Sequence, residues 1–181
     1  EQRNRALALR DPLSGLANRL SFGHALEAAA EKAQGSRFAV IAGDLDRFKA
    51  INDSWGHAAG DLVIRTVAAR LSEVVGTNGL VGRIGGDEFV ILVDAFSDRA
   101  RLSLLASQIM TAVGQPITLD NGITTDVGIS LGIAIAPDDA AGANAIMATA
   151  DRALYASKDG GRGRACFAAD ADTSHGASHA A

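Results

Sequence analysis

One cysteine, three prolines, one tryptophan and one tyrosine in 181 residues leave several classes of protein without material. A single thiol, Cys166, cannot build an internal disulfide framework or a cysteine-rich metal site, and a reducing compartment fits it. No apolar run is long enough to span a bilayer, and no signal peptide opens the chain. Aromatic residues are 4 % of the total, so a core drawn from the 48 % hydrophobic residues must be mostly Ala, Val, Leu and Ile. The net charge of −4 removes a broad electrostatic grip on nucleic acid. No internal repeat is present, and the length suits one domain. The chain begins at Glu1 rather than Met and reads as a piece of a longer protein. A cytoplasmic location is expected for the domain, with any membrane anchor or sensor lying upstream.

The patterning predicts a mixed architecture. Residues 1–10 read as the end of a helix arriving from upstream, followed by a turn at DPLSGLAN (11–18). Helical spacing recurs over 19–34, 47–54, 61–75, 98–113 and 142–158, with a break at SWGHAAGD (54–61). Apolar runs at 37–44, 80–84, 88–94, 128–136 and 164–167 predict strands. Pro116–Thr118 and Thr124–Val127 flank Asp120-Asn121-Gly122, the signature of a hairpin turn. The tail 169–181 is small and polar, and disorder is expected there. Helix-separated strands mixed with hairpins predict an α/β or α+β domain with a mixed sheet.

Three stretches carry candidate chemistry. In RIGGDEFVIL (83–92), Gly85 and Gly86 permit a tight turn and close backbone approach to a ligand. Asp87 and Glu88 beside them repel each other unless a cation or donor neutralises them, and hard oxygen ligands suit Mg2+ with substrate phosphates. Taken alone, the stretch also reads as an ordinary solvated turn. In GDLDRFKAIND (43–53), Asp44 ends a buried strand, where α/β sheets place ligand groups. Asp46, two residues on, would point like Asp44 if the strand continued that far, and otherwise reads as the cap of the next helix. If the two stretches pair, Asp44, Asp87 and Glu88 converge on a divalent metal. In the third stretch, Lys158 and Arg162 flank Asp159-Gly160-Gly161. These cations either bind phosphate or cap the helix end.

Together the three pieces resemble the GGDEF domain of bacterial diguanylate cyclases, which make the signalling nucleotide cyclic di-GMP from two GTP. The resemblance covers roughly residues 9–168. It is carried in order by DPLSGLANR (11–19), with Ser14 where Thr is usual, DLDRFKAINDSWGHAAGD (44–61), GGDEF (85–89) and ADRALYASKDGGRGR (150–164), with Gly163 where Asn is frequent.

The resemblance implies a cyclase-type palm, a central mixed sheet surrounded by helices, spanning residues 11–168. It implies that Asp44, Asp87 and the Leu45 carbonyl bind Mg2+, with Mn2+ as the alternative. Glu88 would be a further ligand or assist deprotonation of the attacking hydroxyl. Asn52 and Asp61 would recognise guanine, while Lys158 and Arg162 hold the triphosphate. The backbone around Arg47, Phe48 and Lys49 would also face phosphates. The implied partners are GTP and a second copy of the domain, since each domain holds one GTP, with an upstream sensory or dimerisation domain bringing the two together. Asn52 has a second reading as part of a turn, and Asp61 as the cap of the helix over 61–75. His57 reads as a hydrogen-bonded structural histidine.

The family's inhibitory motif, R-x-x-D, falls on GTNG (76–79), which lacks both charged residues. Product inhibition through that site is therefore not expected. A rival reading is a GTP-binding regulatory module that controls a neighbouring domain without turnover. A third is a cyclase joining ATP to GTP, against which Asp61 argues.

Overall fold

The structure, a computed structural model, describes residues 9–32 and 36–171. Helix α1 (Arg19–Lys32) leads into strand β1 (Phe38–Asp46), then α2 (Phe48–Trp55) and α3 (His57–Val75). The hairpin of β2 (Leu80–Gly85) and β3 (Glu88–Val93) follows, then α4 (Arg99–Val113). The short strands β4 (Ile117–Thr118) and β5 (Thr124–Thr125) precede β6 (Gly128–Ala136), α5 (Ala143–Asp159) and β7 (Ala165–Phe167).

Five strands form one sheet in the order β2-β3-β1-β6-β7. The pairings are antiparallel except for β6 with β7, which is parallel, so the sheet is mixed as expected. β4 and β5 pair separately around the predicted turn. The long strands are buried on both faces, which explains their nearly continuous apolar runs. Alternation divides them cleanly. Ile41, Phe89, Ile91 and Ile133 pack toward α3 and α4. Val40, Val90, Leu92 and Ala134 pack with Phe22 and Leu26 of α1 and Ile146, Ala150 and Ala153 of α5. Ile41 and Ile133 have no exposed surface, and burial of such a side chain stabilises by about 1.5–3 kcal/mol.

α5 lies unusually close to the sheet at Gly132, where a Cβ atom would come within 2.1 Å of the Leu154 nitrogen and 2.3 Å of the Ala150 oxygen. A glycine in mid-strand therefore brings the helix that carries Lys158 down onto β1 and β6.

Several boundaries differ from expectation. β1 runs on to Asp46, so Asp44 and Asp46 share a face, and Asp46 is not the cap of α2. That position belongs to Arg47, in the left-handed conformation with φ 59°. The break expected over 54–61 contracts to Gly56, at φ 85°, and α3 begins at His57. Asp61 consequently lies inside the helix and caps nothing, and Asn52 lies in α2 rather than in a turn. His57 is exposed and its imidazole has no hydrogen-bond partner among the described residues, contrary to the structural role expected of it. Residues 168–171 form a helical turn, of which 169–171 belong to the tail expected to be disordered. Arg99 holds this end, stacked 4.0 Å from the Phe167 ring and ion-paired with Asp170. Residues 1–8, 33–35 and 172–181 lie outside the described residues, including most of the expected N-terminal helix and tail.

Candidate active site at the end of the first strand

β1 lies next to the β2–β3 hairpin, with Asp44 opposite Glu88 in the register. The turn itself is Gly86-Asp87, closed by the pairing of Gly85 with Glu88. Gly86 sits at φ 45°, a region that a side chain would strain. A register shift at Ile84 precedes the turn. Arg83 steadies it by donating Nε to the Gly86 carbonyl at 2.9 Å. The Leu45 amide donates to the Asp87 carbonyl at 3.2 Å, fastening the turn to β1.

This geometry sets the Asp87 carboxyl beside that of Asp44. Burial raises the Asp87 pKa, and the hydrogen bond and charge of Asp44 raise it further, to about 6, against the pull of Lys158. Lys158 descends from the end of α5 and ion-pairs with Asp44 Oδ2, so it is not occupied in capping its helix. Two neighbouring carboxyls, one with its pKa raised to about 6, form an edge whose oxygen chemistry fits a hard divalent cation. Among the described residues no group of three or more carboxylate, histidine or cysteine side chains forms a ready-made cage. The expected convergence of three carboxylates is thus two in contact and one beside them. Glu88 is exposed on the Asp44 face and acts on Asp151 of α5, whose pKa is raised by burial and then by the Glu88 charge, with Arg19 opposing. Arg19, Asp44, Glu88, Asp151, Tyr155 and Lys158 line a cavity of about 380 Å³.

Asn52 lies against Gly60, the residue before Asp61, across the α2–α3 junction. A Cβ atom on Gly60 would meet Asn52 Oδ1 at 1.9 Å and Phe48 Cζ at 3.2 Å. Gly60 therefore makes room for the Asn52 amide beside exposed Asp61. Phe48 and Lys49 occupy the first turn of α2, where backbone amides have no partner within the helix. Arg162 is exposed in the loop after α5, left-handed at φ 64°. A larger hollow of about 510 Å³ is lined by Arg162 and Arg47 with Ser54 and Trp55, and does not include Asp44 or Asp87.

A family model for the diguanylate cyclase GGDEF domain matches residues 8–164. The chain belongs to the GGDEF-domain family. It is 39 % identical over 163 residues to the bifunctional diguanylate cyclase/cyclic di-GMP phosphodiesterase MucR of Pseudomonas aeruginosa, covering 89 % of this chain and 24 % of that one. The chain thus spans about a quarter of that relative. The solved GGDEF domain of TpbB from Pseudomonas aeruginosa superposes with a TM-score of 0.85 at 37 % identity, covering 88 % of this chain and 94 % of that one. The coiled coil and GGDEF domain of DgcB from Caulobacter crescentus, solved with c-di-GMP, gives 0.86 at 30 % identity, covering 92 % and 88 %.

This GGDEF domain also holds functional groups that sequence reasoning missed. Asp46 accepts a hydrogen bond from Ser130 Oγ at 2.6 Å and another from the Gly163 amide at 3.1 Å. Asp11 pairs with Arg83, placing the N-terminal motif against the hairpin. Asp151 and Arg19 flank Glu88. Only the Asp46 arrangement had a local signal, its two-residue spacing from Asp44. Among the described residues no helix is long and apolar enough to cross a membrane.

Proposed function

We propose that this domain is a diguanylate cyclase, condensing two GTP into cyclic di-GMP with release of pyrophosphate. The observation that carries the reading is the meeting of Asp87, Asp44 and Lys158 at one point, two carboxyls in contact under an ammonium group. Mg2+, or Mn2+, held by Asp44, Asp87, the Leu45 carbonyl and Glu88, would neutralise phosphate charge and ease formation of the attacking alkoxide. Lys158, Arg162 and the Phe48 and Lys49 amides hold the triphosphate, an anion suited to a helix N-terminus and to flexible cations.

Asp61 accepts from guanine N1–H and its 2-amine, and Asn52, able to donate and accept, reads the remaining edge. Adenine has no N1–H, so with ATP the Asp61 carboxylate would lack a partner, a basis for rejecting it. The 3′-hydroxyl of each GTP attacks the α-phosphorus of the other, each new P–O bond forming as a bond to pyrophosphate breaks, so two pyrophosphates leave. Glu88, exposed on the same face as Asp44, contacts that hydroxyl and takes its proton. Each domain holds one GTP, so catalysis requires two domains face to face, brought together by an upstream sensory or dimerisation domain. The c-di-GMP bound to DgcB and the naming of MucR support the choice of nucleotide.

GTP turnover with Mg2+ at high protein concentration, beside Glu88→Gln, tests the proposal, with products separated by chromatography. Cyclic di-GMP is expected from the parent and none from the variant. GTP bound without product, even when two domains are tethered, would replace the cyclase with a silent regulatory module.

A further inference from the structure

We infer that Asp46 is a positioning residue for Arg162, acting through the backbone amide of Gly163. The inference rests on the reading of Arg162 as a triphosphate ligand and adds the device that holds it.

Arg162 and Arg47 are the two non-glycine residues with positive φ among the described residues. A left-handed backbone is sparsely populated for a residue with a side chain, and persists where its neighbours over-determine it. The loop after α5 is held on both sides of Arg162. Before it, the Arg162 amide donates to the Ser157 carbonyl at 3.1 Å. After it, the Gly163 amide donates to Asp46 Oδ2 and to Ser130 Oγ, each at 3.1 Å. One residue further, the Arg164 carbonyl accepts from Ser157 Oγ at 2.6 Å and from the Leu131 amide at 2.9 Å. Ser130 and Ser157 are fully buried, so water does not compete for their hydroxyls.

The polarity of the group makes Asp46 its pivot. Ser130 Oγ commits its single proton to Asp46 Oδ1 at 2.6 Å, which leaves the hydroxyl oxygen to accept from Gly163. Asp46 thus uses one oxygen to orient the serine and the other to hold the loop. Gly128, opposite Asp46 in the register, leaves the space, since a Cβ there would lie 3.0 Å from Asp46 Oδ2. Asp44, two residues earlier on the same face, is engaged with Lys158 and Asp87 instead. The pair Asp44 and Asp46 therefore divides its work between the reacting centre and the loop that presents Arg162.

The test measures amide exchange at Gly163 in the parent and Asp46→Ala, together with binding of two probes in the presence of Mg2+. One probe is the α,β-methylene analogue of GTP, which cannot release pyrophosphate, and the other is GMP, which lacks the β- and γ-phosphates. Asp46→Ala is expected to accelerate Gly163 exchange by about tenfold or more while Ile41 in β1 keeps its parent rate. Affinity for the GTP analogue should fall about five- to tenfold and that for GMP by less than about twofold. Combined with Arg162→Ala, it should add no further loss, because both act through one group. If Asp46→Ala does not fold, Ser130→Ala keeps the Asp46–Gly163 bond and should show the same pattern with a loss of about two- to threefold. Unchanged Gly163 exchange, equal losses for the two probes, or losses that multiply in the double variant would overturn the inference. Faster exchange with no effect of Arg162→Ala on the analogue would instead overturn the phosphate role of Arg162, and the positioning role with it.

Discussion

Arg83 holds Asp11 with one guanidinium nitrogen, Nη1, at 2.9 and 3.0 Å from its two carboxylate oxygens, while Nε grips the Gly86 carbonyl at 2.9 Å. The start of the described chain is thereby tied to the turn that carries Asp87. Both side chains are 14 % exposed. Burial raises the Asp11 pKa, but two hydrogen bonds from Ser14 and the Arg83 charge outweigh it and hold the carboxyl below its ordinary value. The stabilisation from this lowered pKa is present at neutral pH and lost as pH falls through the folded-state value. Asp11→Ala should lower the unfolding free energy by about 2–3 kcal/mol in urea denaturation, because it strands a mostly buried guanidinium. A loss under about 0.5 kcal/mol would mean that water replaces the pair.

Asp87 gives the opposite pH dependence. Its folded-state pKa of about 6 exceeds the ordinary 3.8, so the folded protein binds this proton more tightly than the unfolded chain. The resulting stabilisation is full below about 3.8 and is lost as pH rises through about 6. Asp87→Asn keeps the turn without the like charge. Relative to the parent, its melting temperature should rise by about 2–4 °C between pH 4 and pH 7, after allowance for solvent at the turn. Parallel curves for the two proteins across that range would exclude the Asp44–Asp87 contact as the cause.

Gly60 controls the proposed base site. In Gly60→Ala the new methyl group falls on Asn52 Oδ1, the far end of a side chain that can move away. Stability should change by under about 1 kcal/mol, since alanine favours the helix. GTP affinity should fall about tenfold or more, because the Asn52 amide leaves its place beside Asp61. Full affinity in a folded variant would remove Asn52 from guanine recognition.

Gly132 is a different case. The methyl group of Gly132→Ala meets the backbone of Leu154 and Ala150, which cannot swing aside. The helix must lift from the sheet, at about 3 kcal/mol in urea denaturation. A variant as stable as the parent would show that α5 moves freely over β6.

The sequence by itself determined the strands, the long helices and the family. Period-two and helical patterns are local, and the glycines at 86 and 132 sit where backbone geometry or close approach leaves no alternative. Asp44 was legible as a ligand candidate because it ends an apolar run. Boundaries governed by a single residue were less legible. Gly56 alone separates α2 from α3, and a helix starting at His57 gives no stronger local signal than one starting at Asp61. Partnerships were decided by the tertiary structure alone. Asp46 looks like a helix cap until β1 runs through it and β6 and the post-α5 loop bring Ser130 and Gly163, 84 and 117 residues away, to its two oxygens. Asp87 meets Asp44, and Glu88, opposite Asp44 in the pairing of β1 with β3, reaches Asp151, because α5 packs on that face of the sheet. Which carboxyls lie side by side, and which one holds a loop, depends on contacts between segments far apart in the chain, and no local pattern encodes those.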